Sequence, residues 1–130
     1  HTSDSEFSVE GADKLPRVDV IYITADTSPD LIEAAAKNGA KGIVTAGVGN
    51  GNMTGPALEM VRKLVGKGVV VVRASRVTSG SVGRNVEVND DEVGTVASAE
   101  LNPSRARVLL KLALMKSEDP ATIQEYFYNY

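Results

Sequence analysis

Val69-Val70-Val71-Val72 is four consecutive β-branched residues in a chain of 130. A strand with one wet face alternates apolar and polar side chains; this run has no polar member and requires cover on both faces. That is the condition of a parallel sheet held between two layers of helix. Immediately upstream, Leu58, Val61, Leu64 and Val65 recur at helical spacing after Thr54-Gly55-Pro56 and before Gly66 and Gly68. Further back lies an apolar strand from Gly42 to Ala46. It is preceded by a helix that starts at Ser28-Pro29, carries Asp30 and Glu33 toward the positive end of its dipole, and stops at Asn38-Gly39. Val18-Asp19-Val20-Ile21-Tyr22-Ile23, after Pro16, reads as the first strand.

Downstream the rhythm breaks. Residues 74–92 carry little apolar periodicity and read as one long loop, and Val93-Gly94-Thr95-Val96-Ala97 reads as a short fourth strand. Asn102-Pro103 opens a helix with Ala106, Leu109, Leu110, Ala113 and Leu114 inward and Arg105, Arg107 and Lys111 in water; Asp119-Pro120 opens a last one with Ile123, Tyr126, Phe127 and Tyr130. Strand and helix alternate, so the predicted fold is a three-layer α/β domain built on a small, mainly parallel four-stranded sheet with right-handed crossovers. The length fits one domain. Residues 1 to about 15 form an acidic, extended lead-in, pinned by Phe7, Val9 and Leu15.

Composition removes several classes of function. A net charge of −3 with dispersed basic residues gives no electrostatic footprint for nucleic acid. No apolar run approaches the roughly 20 residues of a membrane helix. There is no cysteine, and the single histidine, His1, is terminal, which excludes thiol nucleophiles, histidine triads and histidine- or cysteine-rich metal sites. The chain opens His1-Thr2-Ser3-Asp4, without methionine or signal peptide, and so reads as a processed product or a piece of a longer protein.

The candidate site is Gly47-Val48-Gly49-Asn50-Gly51-Asn52, a glycine-rich turn between the second strand and its helix. Glycines permit positive φ and close approach of backbone to a ligand, and the asparagines add neutral donors and acceptors. In an open parallel sheet, ligands bind beyond the carboxyl ends of the strands, where this turn and the loop from Ala74 both emerge. Glu87, with Asp90 or Asp91, can offer a carboxylate to an ammonium group, with Asn50 or Asn52 reaching across; the same residues also read as a solvated acidic loop. The turn lacks the lysine and hydroxyl of a phosphate-binding loop and the spacing of a dinucleotide fingerprint, so no cofactor is implied. Arg73 and Arg76 read as anion ligands or as ion-paired scaffold, and Tyr126, Phe127, Tyr128 and Tyr130 as core or subunit contact. Thr24 and Thr45 lie at strand ends where a nucleophile can sit, but no lysine or base is placed to activate them.

Four segments together carry a family resemblance: Ala46-Gly47-Val48-Gly49-Asn50-Gly51-Asn52; Val71-Val72-Arg73-Ala74-Ser75-Arg76-Val77; Leu101-Asn102-Pro103-Ser104-Arg105-Ala106-Arg107-Val108-Leu109-Leu110; and Asp119-Pro120-Ala121-Thr122-Ile123-Gln124-Glu125-Tyr126-Phe127. The chain resembles, over essentially its whole length, the carboxyl-terminal, Rossmann-like domain of bacterial-type type II L-asparaginases. The resemblance implies that residues 1–16 are an interdomain connector and 17–130 the domain proper. It implies hydrolysis of L-asparagine to L-aspartate and ammonia, with glutamine as a slower substrate, in a periplasmic or secreted homotetramer. The nucleophilic threonine belongs to an amino-terminal domain outside this chain, so no catalytic residue is expected here and the chain alone is expected to be inert. Asn52 and Glu87 match the family's substrate-binding asparagine and glutamate, which serve the neighbouring subunit, Glu87 at the substrate ammonium. Residues 77–85 match no one subgroup, which leaves the preference between asparagine and glutamine open.

Overall fold

The computed structural model describes residues 4–130, so His1, Thr2 and Ser3 lie outside it. Four strands, β1 (Val18–Tyr22), β2 (Gly42–Gly47), β3 (Val70–Ser75) and β4 (Val96–Ala97), form one sheet in the order β1-β2-β3-β4. All three pairings are parallel. The central pair explains the valine run: Val70, Val71 and Val72 face Gly42, Ile43 and Val44, and every residue of β2 and β3 is buried.

Side chains alternate between two cores. Ile43 and Val71 join Ile32, Ala57, Val61 and Leu64 from helices α1 (Pro29–Lys37) and α2 (Gly55–Val65). Val44, Val70 and Val72 join Leu109, Leu110, Ala113, Ile123 and Phe127 from α4 (Pro103–Ala113) and α5 (Pro120–Asn129). The domain is therefore three-layered, with helix on each face of an all-parallel sheet.

Proline at the start of each of these four helices fills a position whose amide lacks an intrahelical partner. Thr54, Asn102 and Asp119 cap α2, α4 and α5 through their side chains. Ser28 occupies the equivalent place before α1, yet its side chain makes no capping hydrogen bond. Glu33 also departs from the sequence reading: it binds Lys37 at 3.0 Å and Lys63 at 3.2 Å, tying α1 to α2, while Asp30 is the acidic residue of the first turn. Arg107 is not simply solvated, because its Nε donates to the Val18 carbonyl at 2.8 Å.

The stretch 74–92 is more ordered than its composition predicts. β3 continues through Ala74 and Ser75, and a one-turn helix, α3 (Asp90–Val93), occupies the end of the supposed loop. Asn89 caps α3 and Gly94 ends it at φ 82°, so β4 begins at Val96 rather than Val93. A four-residue helix is too short to show a periodicity, which is why composition misread it.

Residues 4–16 contain neither helix nor strand. Phe7 holds them down, its ring 4.9 Å from that of Tyr126 and 5.3 Å from that of Tyr130. The Val9 side chain, by contrast, is exposed. Of the terminal aromatics, Phe127 is core and Tyr128 is exposed.

Candidate functional site

The glycine-rich turn leaves β2 at the carboxyl edge of the sheet, and its shape is dictated by what each glycine meets. A Cβ on Gly47 would lie 2.2 Å from the Asn52 carbonyl oxygen, far inside contact distance. Gly49 and Gly51 have φ of 52° and 73°, the left-handed region that glycine enters without a steric cost. The turn closes on itself where the Asn52 amide donates to the Val48 carbonyl at 2.9 Å. The amide of Arg76, just past β3, donates to the Gly47 carbonyl at 2.8 Å, so the exits of β2 and β3 are joined.

Beneath the turn lies Arg73. It sits inside β3 and is wholly buried, as is its partner Asp90 on α3. Arg73 Nε and Nη2 donate to the two carboxylate oxygens of Asp90 at 2.7 and 2.6 Å, the forked geometry that suits guanidinium to carboxylate. The remaining donors reach both loops: Nη1 to the Asn50 carbonyl at 2.7 Å and Nη2 to the Gly83 carbonyl at 3.3 Å. Asp90 in turn accepts from the Thr95 hydroxyl and from the Asn85 amide at 2.8 Å. Burial pushes the Asp90 carboxyl up, but the hydrogen bonds from Arg73, Thr95 and Asn85, with the Arg73 charge, outweigh it and hold the group below its ordinary value.

The two loops also touch directly, the Gly83 amide donating to Asn50 Oδ1 at 3.3 Å. Beyond Gly83, Arg84 binds Asp91, Gln124 and the Thr95 carbonyl, and Asn85 binds Asp91 by both its side-chain amide and its carbonyl oxygen. Asp91 is drawn below its ordinary value first by Asn85 and then by Arg84.

These bonds sort the sequence candidates. Asp90 and Asp91 are both committed to the protein, so neither is a free carboxylate for an ammonium group. Arg73 is ion-paired scaffold, and Asn50 is spent on the second loop. Glu87 remains: it is exposed, and its carboxylate has no hydrogen-bond or ion-pair partner among the described residues. Its φ is 69°, a left-handed conformation unusual for a residue with a Cβ.

Asn52 lines an open cleft of about 310 Å³ beyond the ends of β1, β2 and β3, together with Thr24, Val48, Met53, Thr54 and Arg76. Glu87 is not among the residues that line it. Within this chain the two candidates therefore stand on loops that are tied together, but they do not close one pocket.

Neither strand-end threonine is equipped as a nucleophile. Thr45 is fully buried, with its hydroxyl turned to the Val72 carbonyl. Thr24 is exposed and bonded to Asp26 and Thr27, and among the described residues no lysine is bonded to it. Sequence reasoning missed Asp90 as the anchor of both loops. The available signal was Arg73 itself, since a guanidinium inside a strand covered on both faces requires a buried carboxylate.

The family model described as Glutaminase/Asparaginase C-terminal domain matches residues 17–127. Over its whole length the chain is 45% identical to the probable periplasmic L-asparaginase of Haemophilus influenzae, 45% identical to the glutaminase-asparaginase of Acinetobacter glutaminasificans, and 46% identical to L-asparaginase 2 of Bacillus subtilis. It spans 37%, 40% and 34% of the lengths of these three proteins.

Proposed function

The chain belongs to the glutaminase/asparaginase C-terminal domain family, and from that premise we propose that it is the carboxyl-terminal domain of an L-asparaginase, an amidohydrolase that takes L-asparagine and water to L-aspartate and ammonia. Its part in the reaction is to bind and orient substrate. The observation that carries this reading is that Glu87 stands exposed and, among the described residues, unpaired on a loop where Asp90 and Asp91 are already bonded. A carboxylate presented in this way suits the α-ammonium of an amino acid, and it selects against substrates lacking that charge. Asn52, with no side-chain hydrogen bond of its own among the described residues, supplies a neutral donor and acceptor from the neighbouring turn.

The nucleophile comes from an amino-terminal domain, to which residues 1–16 are the connector. Asn52 and Glu87 serve the active site of a neighbouring subunit in a homotetramer. Two features support sharing across subunits. Glu87 and the Asn52 cleft do not meet within the chain, and Val48, Val77 and Val86 are exposed apolar side chains on the same loops, suited to burial against another surface. A periplasmic or secreted location accords with the description of the Haemophilus relative.

A second reading, a glutaminase-asparaginase, is favoured by the 45% identity to the Acinetobacter enzyme of that name; relative rates on the two amides separate the two.

The test is ammonia release from L-asparagine by this chain alone and after mixing with a separately made amino-terminal domain. Activity only in the mixture, lost on Glu87→Ala, is the expected result. Activity in the chain alone, free of contaminating enzyme, overturns it. Tight binding of L-aspartate by the isolated chain in a calorimetric titration, with no activity in the mixture, indicates a non-catalytic binding module instead.

A further inference from the structure

From the bonds that converge on one buried guanidinium, we propose that Arg73, held by Asp90, is a positioning residue that fixes the glycine-rich turn and the Glu87 loop relative to each other, and so sets the distance between Asn52 and Glu87. The inference rests on the reading of those two residues as substrate-binding.

Arg73 is suited to this by its number of donors. Its fork is satisfied by Asp90 at 2.7 and 2.6 Å, which leaves Nη1 for the Asn50 carbonyl on one loop, while Nη2 also reaches the Gly83 carbonyl on the other. Both loop contacts are to backbone, so they constrain the paths of the loops themselves. Asp90 completes the arrangement from below by accepting the Asn85 amide, two residues from Glu87. Glu87 is thus bracketed: Gly83 and Asn85 before it and Asp90 after it are all bonded to the pair.

Stability does not account for such a pair. Two charges fully removed from water lose hydration that their attraction roughly offsets, and well-packed apolar residues usually do as well. What apolar residues cannot do is hold two carbonyls of two separate loops in one fixed geometry. Lysine cannot either, since its ammonium lacks the planar fork. The two left-handed residues of this loop, Asn85 at φ 58° and Glu87 at φ 69°, fit the same picture, because such conformations persist where the surroundings over-determine them.

The experiment is amide hydrogen exchange on the chain with Arg73→Lys, paired with asparagine kinetics in the mixture described above. Exchange is expected to accelerate at Asn85 on one loop and at Asn52 on the other, while Val71 and Val72 stay protected. Acceleration on only one loop, or on neither, overturns the proposal, and this readout does not depend on the enzyme assignment. In the mixture, KM for asparagine is expected to rise on the order of tenfold to a hundredfold, with a smaller change in kcat. The effects of Arg73→Lys and Glu87→Gln on KM should not combine independently, because one acts through the other; independent effects overturn the proposal. If Glu87→Gln itself leaves KM unchanged while both loops loosen in Arg73→Lys, the substrate-binding reading fails and the clamp stands. Should Arg73→Lys not fold, Thr95→Val, which keeps the ion pair and removes one bond to Asp90, takes its place in both measurements with the same criteria.

Discussion

Arg73 and Asp90 meet through two parallel hydrogen bonds of 2.7 and 2.6 Å with neither side chain exposed to solvent, although one lies in the third strand and the other on a one-turn helix 17 residues later. The pair joins the core of the sheet to the stretch of the carboxyl rim, residues 74–92, that composition reads as one long loop. Its consequences for stability, acid tolerance and the placement of Glu87 are separable.

Removing one partner strands the other. Asp90→Ala leaves a guanidinium buried without a counter-charge and also frees the Thr95 hydroxyl and the Asn85 amide, so we expect a loss of about 3–5 kcal/mol. Urea unfolding of the two proteins measures it. A loss below about 1 kcal/mol would mean that water enters and solvates Arg73.

The same pair sets an acid limit. Asp90 is held below its ordinary value in the folded chain, so the unfolded chain binds its proton first as pH falls. The stabilisation is fully present above the unfolded value of about 3.9 and is lost as pH drops from there through the lower folded value. Asp91 shifts in the same direction but is exposed, and is expected to matter less. Unfolding free energy measured from pH 6 downward should therefore fall more steeply in the natural chain than in Asp90→Asn below about pH 4. Parallel profiles would exclude Asp90 as the source.

The glycines of the turn are not equivalent. At Gly47 an added Cβ meets the Asn52 carbonyl oxygen at 2.2 Å, the Gly51 carbonyl carbon at 2.7 Å and the Asn52 amide nitrogen at 2.9 Å, all backbone atoms that cannot step aside as a flexible side chain does. Gly47→Ala should cost about 1–3 kcal/mol and displace Asn52. Gly66, by contrast, has a right-handed helical φ of −60°, and its added Cβ would find its nearest neighbours at 3.5 Å. Gly66→Ala should gain about 0.4–1 kcal/mol by restricting the unfolded chain. Thermal unfolding of both variants gives the comparison, and equal effects would contradict it.

How far the sequence discloses all this depends on the length of the signal. Val69 to Val72 span enough of a strand to imply helix on both faces, and the helix starts marked by Pro29, Pro56, Pro103 and Pro120 need only two or three residues to be seen. The carboxyl rim was legible as a place where two loops meet, because strand direction fixes it. Which carboxylate is free was not legible. Glu87, Asp90 and Asp91 look alike in sequence, and what separates them is the buried partner of one, the surface partners of another, and the left-handed backbone of the third. The Arg73–Asp90 contact joins residues 17 apart, and the contacts of Asp91 with Arg84 and Asn85, seven and six residues away, follow no helix or strand period, so local pattern is blind to both.

Glu87 offers the sharpest separation of folding from function. A residue with a Cβ held at φ 69° is destabilised by about 1–2 kcal/mol relative to the right-handed conformation, and glycine is not. Glycine also loosens the unfolded chain, which offsets about 0.4–1 kcal/mol of that relief. No hydrogen bond or ion pair of the Glu87 side chain is lost, since it has none among the described residues. Glu87→Gly is therefore expected to leave the chain as stable or up to about 1.5 kcal/mol more stable. At the same time it deletes the carboxylate proposed to meet the substrate ammonium, so KM for asparagine in the reconstituted enzyme should rise. The opposite signs are informative, because a substitution that merely damaged the loop would lower stability and activity together. A Glu87→Gly chain that is clearly less stable would show that the left-handed turn is comfortable for glutamate, and that its conformation owes nothing to function.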